Sequence, residues 1–361
     1  MYFTNTAKNN HREEVMIRKR TAALVGLLCS NVFFNVATAQ AVKVAELKGT
    51  QITGVTVSSK GRLFVNAPNW RDDVDFSVAE ISMEGEVSEY PNSSANRCIS
   101  DSLVKADCFL AVQSVVAYKN KLYVLDTRNP KFKGVVDAPR VFVVNLDTDE
   151  VERILTLSNK AYHPDSYIND LRVDDKTHRI YMTDSGHAGL VVYNLNDDSS
   201  YRILDNHPFT EAEVETLSIK GKPFSMQVQS DGIALDRLND TLYFHALSGY
   251  SLYAVDTADI SNDTSDDIAE NVRTVAKTGA PDGMFYHNGN LYLADLEKQQ
   301  VQYLTPSQSL ETLVEGSAVN WADTFSVYEN TLYYTNSKIQ DAGDDVSNMS
   351  FEVYKVPLPA K

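Results

Sequence analysis

Four aspartates and two amides sit where a shared binding site would need them. Gln113, Asn169 with Asp170, Asp231, Asp282 and Asp323 each open a copy of one short pattern, and Thr53 holds that place in the first copy. Carboxylates and amides brought round one axis offer only oxygen ligands and hydrogen bonds. Such a set suits an organic ammonium group or a hard metal ion. Like charges held together also raise one another's pKa unless a cation, water or hydrogen bonds offset them. Two of the aspartates precede glycine, Asp231-Gly232 and Asp282-Gly283, where a missing Cβ lets another backbone come close. A second polar set closes the copies: Asn66, Asp126, Asp184, His245, Asp295 and Asn336. Asp and Asn at strand ends commonly cap backbone groups, so capping is the expected role of Asp126, Asp184 and Asp295. Ligand contact is the expected role of the opening set. His245 reads first as a hydrogen-bonded rim residue and only second as a base.

The copies that carry these residues begin TGVTVSSKGRLFVN at Thr53, QSVVAYKNKLYVLD at Gln113 and NDLRVDDKTHRIYMTD at Asn169. They continue as SDGIALDRLNDTLYFH, PDGMFYHNGNLYLAD and ADTFSVYENTLYYTN. Apolar residues alternate with period two on either side of tight turns such as Asn288-Gly289, Lys60-Gly61 and Glu329-Asn330, so each copy is a hairpin with one buried face. A lone hairpin cannot bury that face, and the copies recur about every 40 to 60 residues, room for four strands each. FSVAEIS, RVFVVNL, GLVVYNL, YSLYAVD and QVQYLTP supply further strands. The last copy has FEVYKVPL and lacks a fourth strand, which VKVAELK from Val42 can provide. The expected fold is all-β, a six-bladed β-propeller closed by an N-terminal strand, one domain over residues 40–361. The antiparallel hairpins then put the opening and closing polar sets on the same rim, with the opening set on the innermost strands.

Residues 1–39 read differently. Arg18-Lys19-Arg20, the apolar run TAALVGLLCSNVFFNVATA and Ala37-Thr38-Ala39 before Gln40 predict a secretory signal cleaved after Ala39, with Met16 an alternative start that makes 1–15 an extension. Asn31 and Asn35 in the run argue against a retained anchor, so no membrane insertion is expected after cleavage, and the protein is expected in the periplasm or outside the cell. The net charge of −16 excludes non-specific binding to nucleic acid or anionic lipid. Cys98 and Cys108 remain after cleavage and are expected to pair in that oxidising setting, contributing roughly 2–3 kcal/mol. There is no GxSxG, HExxH, P-loop or CxxC, and His163, His187, His207 and His245 show no helical pairing. No pattern sets an oligomeric state.

Several stretches resemble the major royal jelly protein/Yellow family, in order from about Gln51 onward: GVTVSSKGRLFVNAPNW, QSVVAYKNKLYVLDTRNP, INDLRVDDKTHRIYMTDSGHAGLVVYNL and WADTFSVYENTLYYTN. The resemblance implies a secreted six-bladed propeller of a kind that binds small ligands, biogenic amines among them, in its central channel; bacterial relatives carry names related to dopachrome tautomerase. A more distant resemblance is to calcium-dependent gluconolactonase-type propellers. It implies a calcium ion held at Asn169, Asp231 and Asp282, with Asp231 where an Asn is usual and Thr53 where the first blade usually has Glu.

Three functions follow as expectations. The leading one is an axial pocket for a small cationic or aromatic molecule. Asp231, Asp282 and Asp323 would face the positive group, Asn169 and Gln113 would hydrogen-bond, and Phe285, Phe325 or Trp321 would supply an aromatic wall. The second is an enzyme, either a calcium-assisted lactone hydrolase with Asp282 handling the proton or a tautomerase. The third is a protein scaffold using the long connections 205–229, with its helix-like run TEAEVETL, and 257–278.

Overall fold

The computed structural model describes residues 40–72, 74–96, 98, 107–261 and 265–359; the expected signal segment lies outside them. The alternating copies form six four-stranded antiparallel sheets arranged as a β-propeller. In each, the two hairpin strands of the copy are innermost, as Gly54–Val57 with Leu63–Asn66 in blade 1 and Ile168–Asp174 with Arg179–Asp184 in blade 3. The innermost strands of blades 2, 4 and 6 are Val112–Tyr118, Ser230–Asp236 and Ala322–Tyr328, and that of blade 5 is Met284–His287. Each innermost strand packs on the next, and blade 6 on blade 1.

The ring closes as the sequence predicts. Val42–Lys48 is the outer strand of blade 6, antiparallel to Ser350–Pro357 with Leu47 opposite Phe351. Six apolar clusters fill the spaces between neighbouring sheets; Leu125, Val141, Leu171, Ile180 and Val191 form the one between blades 2 and 3. Side-chain hydroxyls tie blades together at the axis: Thr183 Oγ1 donates to the Asp231 carbonyl at 2.7 Å, and Thr335 Oγ1 donates to the carbonyl of Thr53.

Two connections differ from expectation. The run TEAEVETL forms no helix; residues 205–229 instead carry a two-stranded hairpin, Leu217–Ile219 with Lys222–Phe224. Its apolar residues pack on Leu247, Ala280, Leu296 and Trp321 at the rim, so burial overrides the helical spacing. Within 257–278 lie a short helix, Ser265–Asn271, and the outer strand of blade 4, Arg273–Lys277. Cys98 and Cys108 form a disulfide with Cα atoms 5.6 Å apart. No described helix is long and apolar enough to cross a membrane.

Candidate functional site

A local irregularity of the sheet aims the opening residues. In blades 2, 3, 4 and 6 the register of the innermost pair slips at the rim. Val112 pairs with Asp126 and Ser114 with Leu125, which leaves Gln113 out of the ladder. The same slip leaves out Asn169 and Asp170, Asp231, and Asp323 with Thr324. A bulge of this kind turns a side chain off the face the pleat would give it. The glycines complete the approach. A Cβ on Gly232 would stand 2.9 Å from the Asp282 carbonyl oxygen, and one on Gly283 would stand 2.8 Å from that of Asp323. Each Asp-Gly pair thus lets the next blade's aspartate backbone close in.

Gln113, Asn169, Asp231, Asp282 and Asp323 line one cavity of about 440 Å³. The three carboxylates are 5%, 8% and 8% exposed, and among the described residues none of them forms an ion pair. Asp282 Oδ2 accepts the Trp321 Nε1 proton at 2.5 Å, Asp231 is hydrogen-bonded by Asn169, and Asp323 accepts from Thr324 Oγ1 at 3.3 Å. Burial, before the neighbouring charges, holds Asp231 and Asp282 well above the usual carboxylate range. Burial also pushes Asp323 up to about 7.

Asp170, expected among the ligand-facing residues, does not line this cavity. Its carboxylate accepts from Ser114 Oγ at 2.7 Å and pairs with Arg172 at 2.8 Å; these partners hold it out of the cavity, and Asn169 takes the cavity side. The closing set caps, as expected. Asp126 accepts from the backbone of Leu110 and Ala111 at 2.8 and 2.9 Å, and Asp184 accepts from Tyr167 N at 2.8 Å and Arg202 at 2.7 Å. His245 is fully buried between the Ala246 carbonyl and Thr278 Oγ1, and burial lowers its pKa to about 4, so it is a neutral structural group.

The walls are aromatic. Phe132 stacks on Tyr167 with ring centroids 4.8 Å apart, and Trp70 lies 5.6 Å from Phe132. Across the cavity Phe224 meets Trp321 edge-on at 5.0 Å. Trp70 Nε1 donates to Tyr167 Oη at 2.6 Å, and Tyr167 donates to Gln113 Oε1 at 2.7 Å, which fixes the wall to the floor. Arg71 stands at the mouth, donating to the Gly343 carbonyl at 2.7 Å. Of the aromatics the sequence suggested, Trp321 lines the cavity, whereas Phe285 and Phe325 line a separate narrow space of about 100 Å³ with Arg172 and Arg237. Trp70, Phe132, Tyr167 and Phe224 escape a reading confined to the repeats. The signal available was topological: Trp70 and Phe132 lie in segments that leave the closing residue of a copy, which starts them on this rim.

Relatives and neighbours agree with this architecture. The family model described as major royal jelly protein matches residues 111–351. Major royal jelly protein 3 of Apis mellifera is 28% identical over 142 residues, covering 39% of this chain and 24% of that protein. Protein yellow of Drosophila melanogaster is 24% identical over 227 residues, covering 56% and 40%. The matched segments thus span about a quarter to two fifths of those curated relatives. Among solved structures, a luciferin-regenerating enzyme superposes with a TM-score of 0.55 at 13% identity, over 88% of this chain and 95% of that one. A gluconolactonase from Xanthomonas campestris gives 0.55 at 13% identity, over 89% and 90%. At that identity the two share the fold alone. With two thirds of its length matched by the family model and six blades in the ring, the chain belongs to the major royal jelly protein family.

Proposed function

We propose that this protein is exported and binds a small aromatic amine in the axial cavity, its ammonium group against Asp231, Asp282 and Asp323. The observation that carries the reading is the gathering of three buried carboxylates, without a cationic partner among the described residues, beneath aromatic walls. Unpaired buried carboxylates are costly, and a cation of the right size removes that cost. Rings flanking the same space add attraction for an ammonium group, about 0.5–2 kcal/mol for each well-placed face. The cavity volume of about 440 Å³ lies in the range that holds a small organic ligand. Gln113 and Asn169, which line the same cavity, would orient its polar substituents. The disulfide accords with an oxidising compartment.

The chain has two tryptophans, Trp70 and Trp321, and both line the cavity, so intrinsic fluorescence reports on it selectively. Tyramine, dopamine and phenethylamine titrated into the protein at pH 8, with excitation at the red edge of tryptophan absorption, are expected to change that emission saturably, with Asp282→Asn weakening the effect at least tenfold. Emission unchanged by any of them up to millimolar concentration would reject the amine reading.

A second reading, a calcium-assisted lactone hydrolase, draws on the same donor set. The oxygens fit calcium in kind, but the first blade contributes no carboxylate: Thr53 is fully buried and its Oγ1 accepts from Asn66 Nδ2 at 3.1 Å. Asn169, Asp231 and Asp282 would hold the ion, which would supply polarisation of a lactone carbonyl. Asp282 would handle the proton, positioned by the Trp321 hydrogen bond. Stoichiometric calcium by elemental analysis, with chelator-sensitive lactone hydrolysis, would favour this reading; activity indifferent to chelator would remove it.

A further inference from the structure

Blade 3 gathers a second set of ligand-type side chains, away from the axial carboxylates. His163 precedes its innermost strand, His187 lies in the turn between Arg179–Asp184 and Gly189–Asn194, and Asp205 follows Ser200–Ile203. One ligand atom from each lies within 4.8 Å of the others. His163 Nε2 is 3.0 Å from Asp205 Oδ2. Two ligands at about 2.0–2.1 Å from a tetrahedral ion stand roughly 3.3 Å apart, so little movement separates this pair from a chelating one.

His187 is prepared in a different way. Its Nδ1 is 3.0 Å from Asp165 Oδ1, the carboxylate–imidazole contact that keeps the proton on Nδ1 and leaves Nε2 a free lone pair. That Nε2 is buried and has no hydrogen-bond partner, a state that costs free energy until something binds it. The two rings already pack together, centroids 3.8 Å apart with 27° between planes, so both imidazoles are held side by side. Charge also fits. Arg202 bonds both Asp184 and Asp205, while Asp165 lies against His187, so three carboxylates and one guanidinium leave a local excess of negative charge that a dication would neutralise. On the open side, a polar cavity of about 410 Å³ bordered by His187, Asp165, Glu211 and Gln227 leaves room for a water ligand.

We propose that His163, His187 and Asp205 form a binding site for a zinc-class divalent ion, with Asp165 as the positioning residue for His187. Two imidazoles and one carboxylate are the donors such an ion favours, and they leave one position free. The test titrates Zn²⁺ into tag-free, metal-stripped full-length protein against a chromophoric chelator. One equivalent should bind, with His187→Ala and Asp205→Asn each weakening it at least 100-fold. Asp165→Asn should weaken it about 10- to 100-fold with the stoichiometry kept. No zinc bound, or binding that survives His187→Ala and is lost instead in Asp231→Asn, overturns the proposal. Should the His187 variant fail to fold, Co²⁺ added to the wild type decides: an intense visible band of tetrahedral, nitrogen-ligated cobalt supports the site, and a weak octahedral spectrum overturns it.

Discussion

Asp323→Asn should make the ligand-free protein more stable at pH 8 and leave it unchanged at pH 4. Burial raises the Asp323 carboxyl from 3.8 to about 7, so between those values the folded protein holds a proton that the unfolded chain has released. The unfolded state then binds fewer protons, and stability falls as the pH rises through that window. A shift of three units corresponds to on the order of 4 kcal/mol, reached in full above pH 7. Asparagine keeps the size of the side chain and cannot ionise, so it removes this loss. It also removes the charge that helps to raise Asp231 and Asp282. The buried His245 works in the opposite sense: with its pKa lowered to about 4, its contribution is lost as the pH falls from 6.5 through that value, equally in both proteins, so it cancels in the difference. Urea denaturation of wild type and variant from pH 4 to 8, without ligand, should give curves that converge at the acid end. They should diverge by up to about 1.4 kcal/mol per pH unit toward neutrality. Parallel curves, or a variant less stable at pH 8, would refute the reasoning that the site stores electrostatic cost for a cation.

Two further substitutions test the supporting geometry. Gly283→Ala drives a Cβ to 2.8 Å from the Asp323 carbonyl, so it should cost roughly 1–3 kcal/mol in chemical denaturation and weaken ligand binding by displacing Asp323. Asp126→Ala removes the acceptor for three backbone N–H groups, those of Leu110, Ala111 and Arg128, and a partner of the fully buried Arg128 side chain; a loss of about 3–5 kcal/mol is expected in the same assay, a loss under 1 kcal/mol arguing against a capping role.

Period-two alternation made the strands legible, but the expected single buried face holds only for outer strands: inner ones such as Leu63–Asn66 and Ser230–Asp236 are buried along their whole length, because each blade is covered by a neighbour on either side. VKVAELK was readable as the closing strand because the last copy lacks a fourth strand of its own, and Leu47 does meet Phe351. The floor of the candidate site was legible because five of the six copies bring an opening residue to one cavity, the exception being the buried Thr53 of the first. The bulges were not, since one extra residue in a strand has no composition of its own. Their trace is a polar pair where alternation calls for a single polar residue, as at Asn169-Asp170 and Asp323-Thr324, and that pair hid which member faces the cavity. The aromatic walls come from connections whose path depends on what they pack against; Phe224 reaches the cavity through a hairpin that helical spacing disguised. His163 and His187 are distant in sequence and meet only because two loops of one blade share a rim.

Isothermal titration of dopamine and serotonin into the wild-type protein at pH 6 and pH 8 addresses the axial site most directly. Both amines remain cationic across that interval while Asp323 ionises, so one site should tighten severalfold with rising pH, and Asp323→Asn should abolish this dependence. Absence of heat at either pH, or equal affinity for a neutral aromatic alcohol of the same size, would contradict the amine reading.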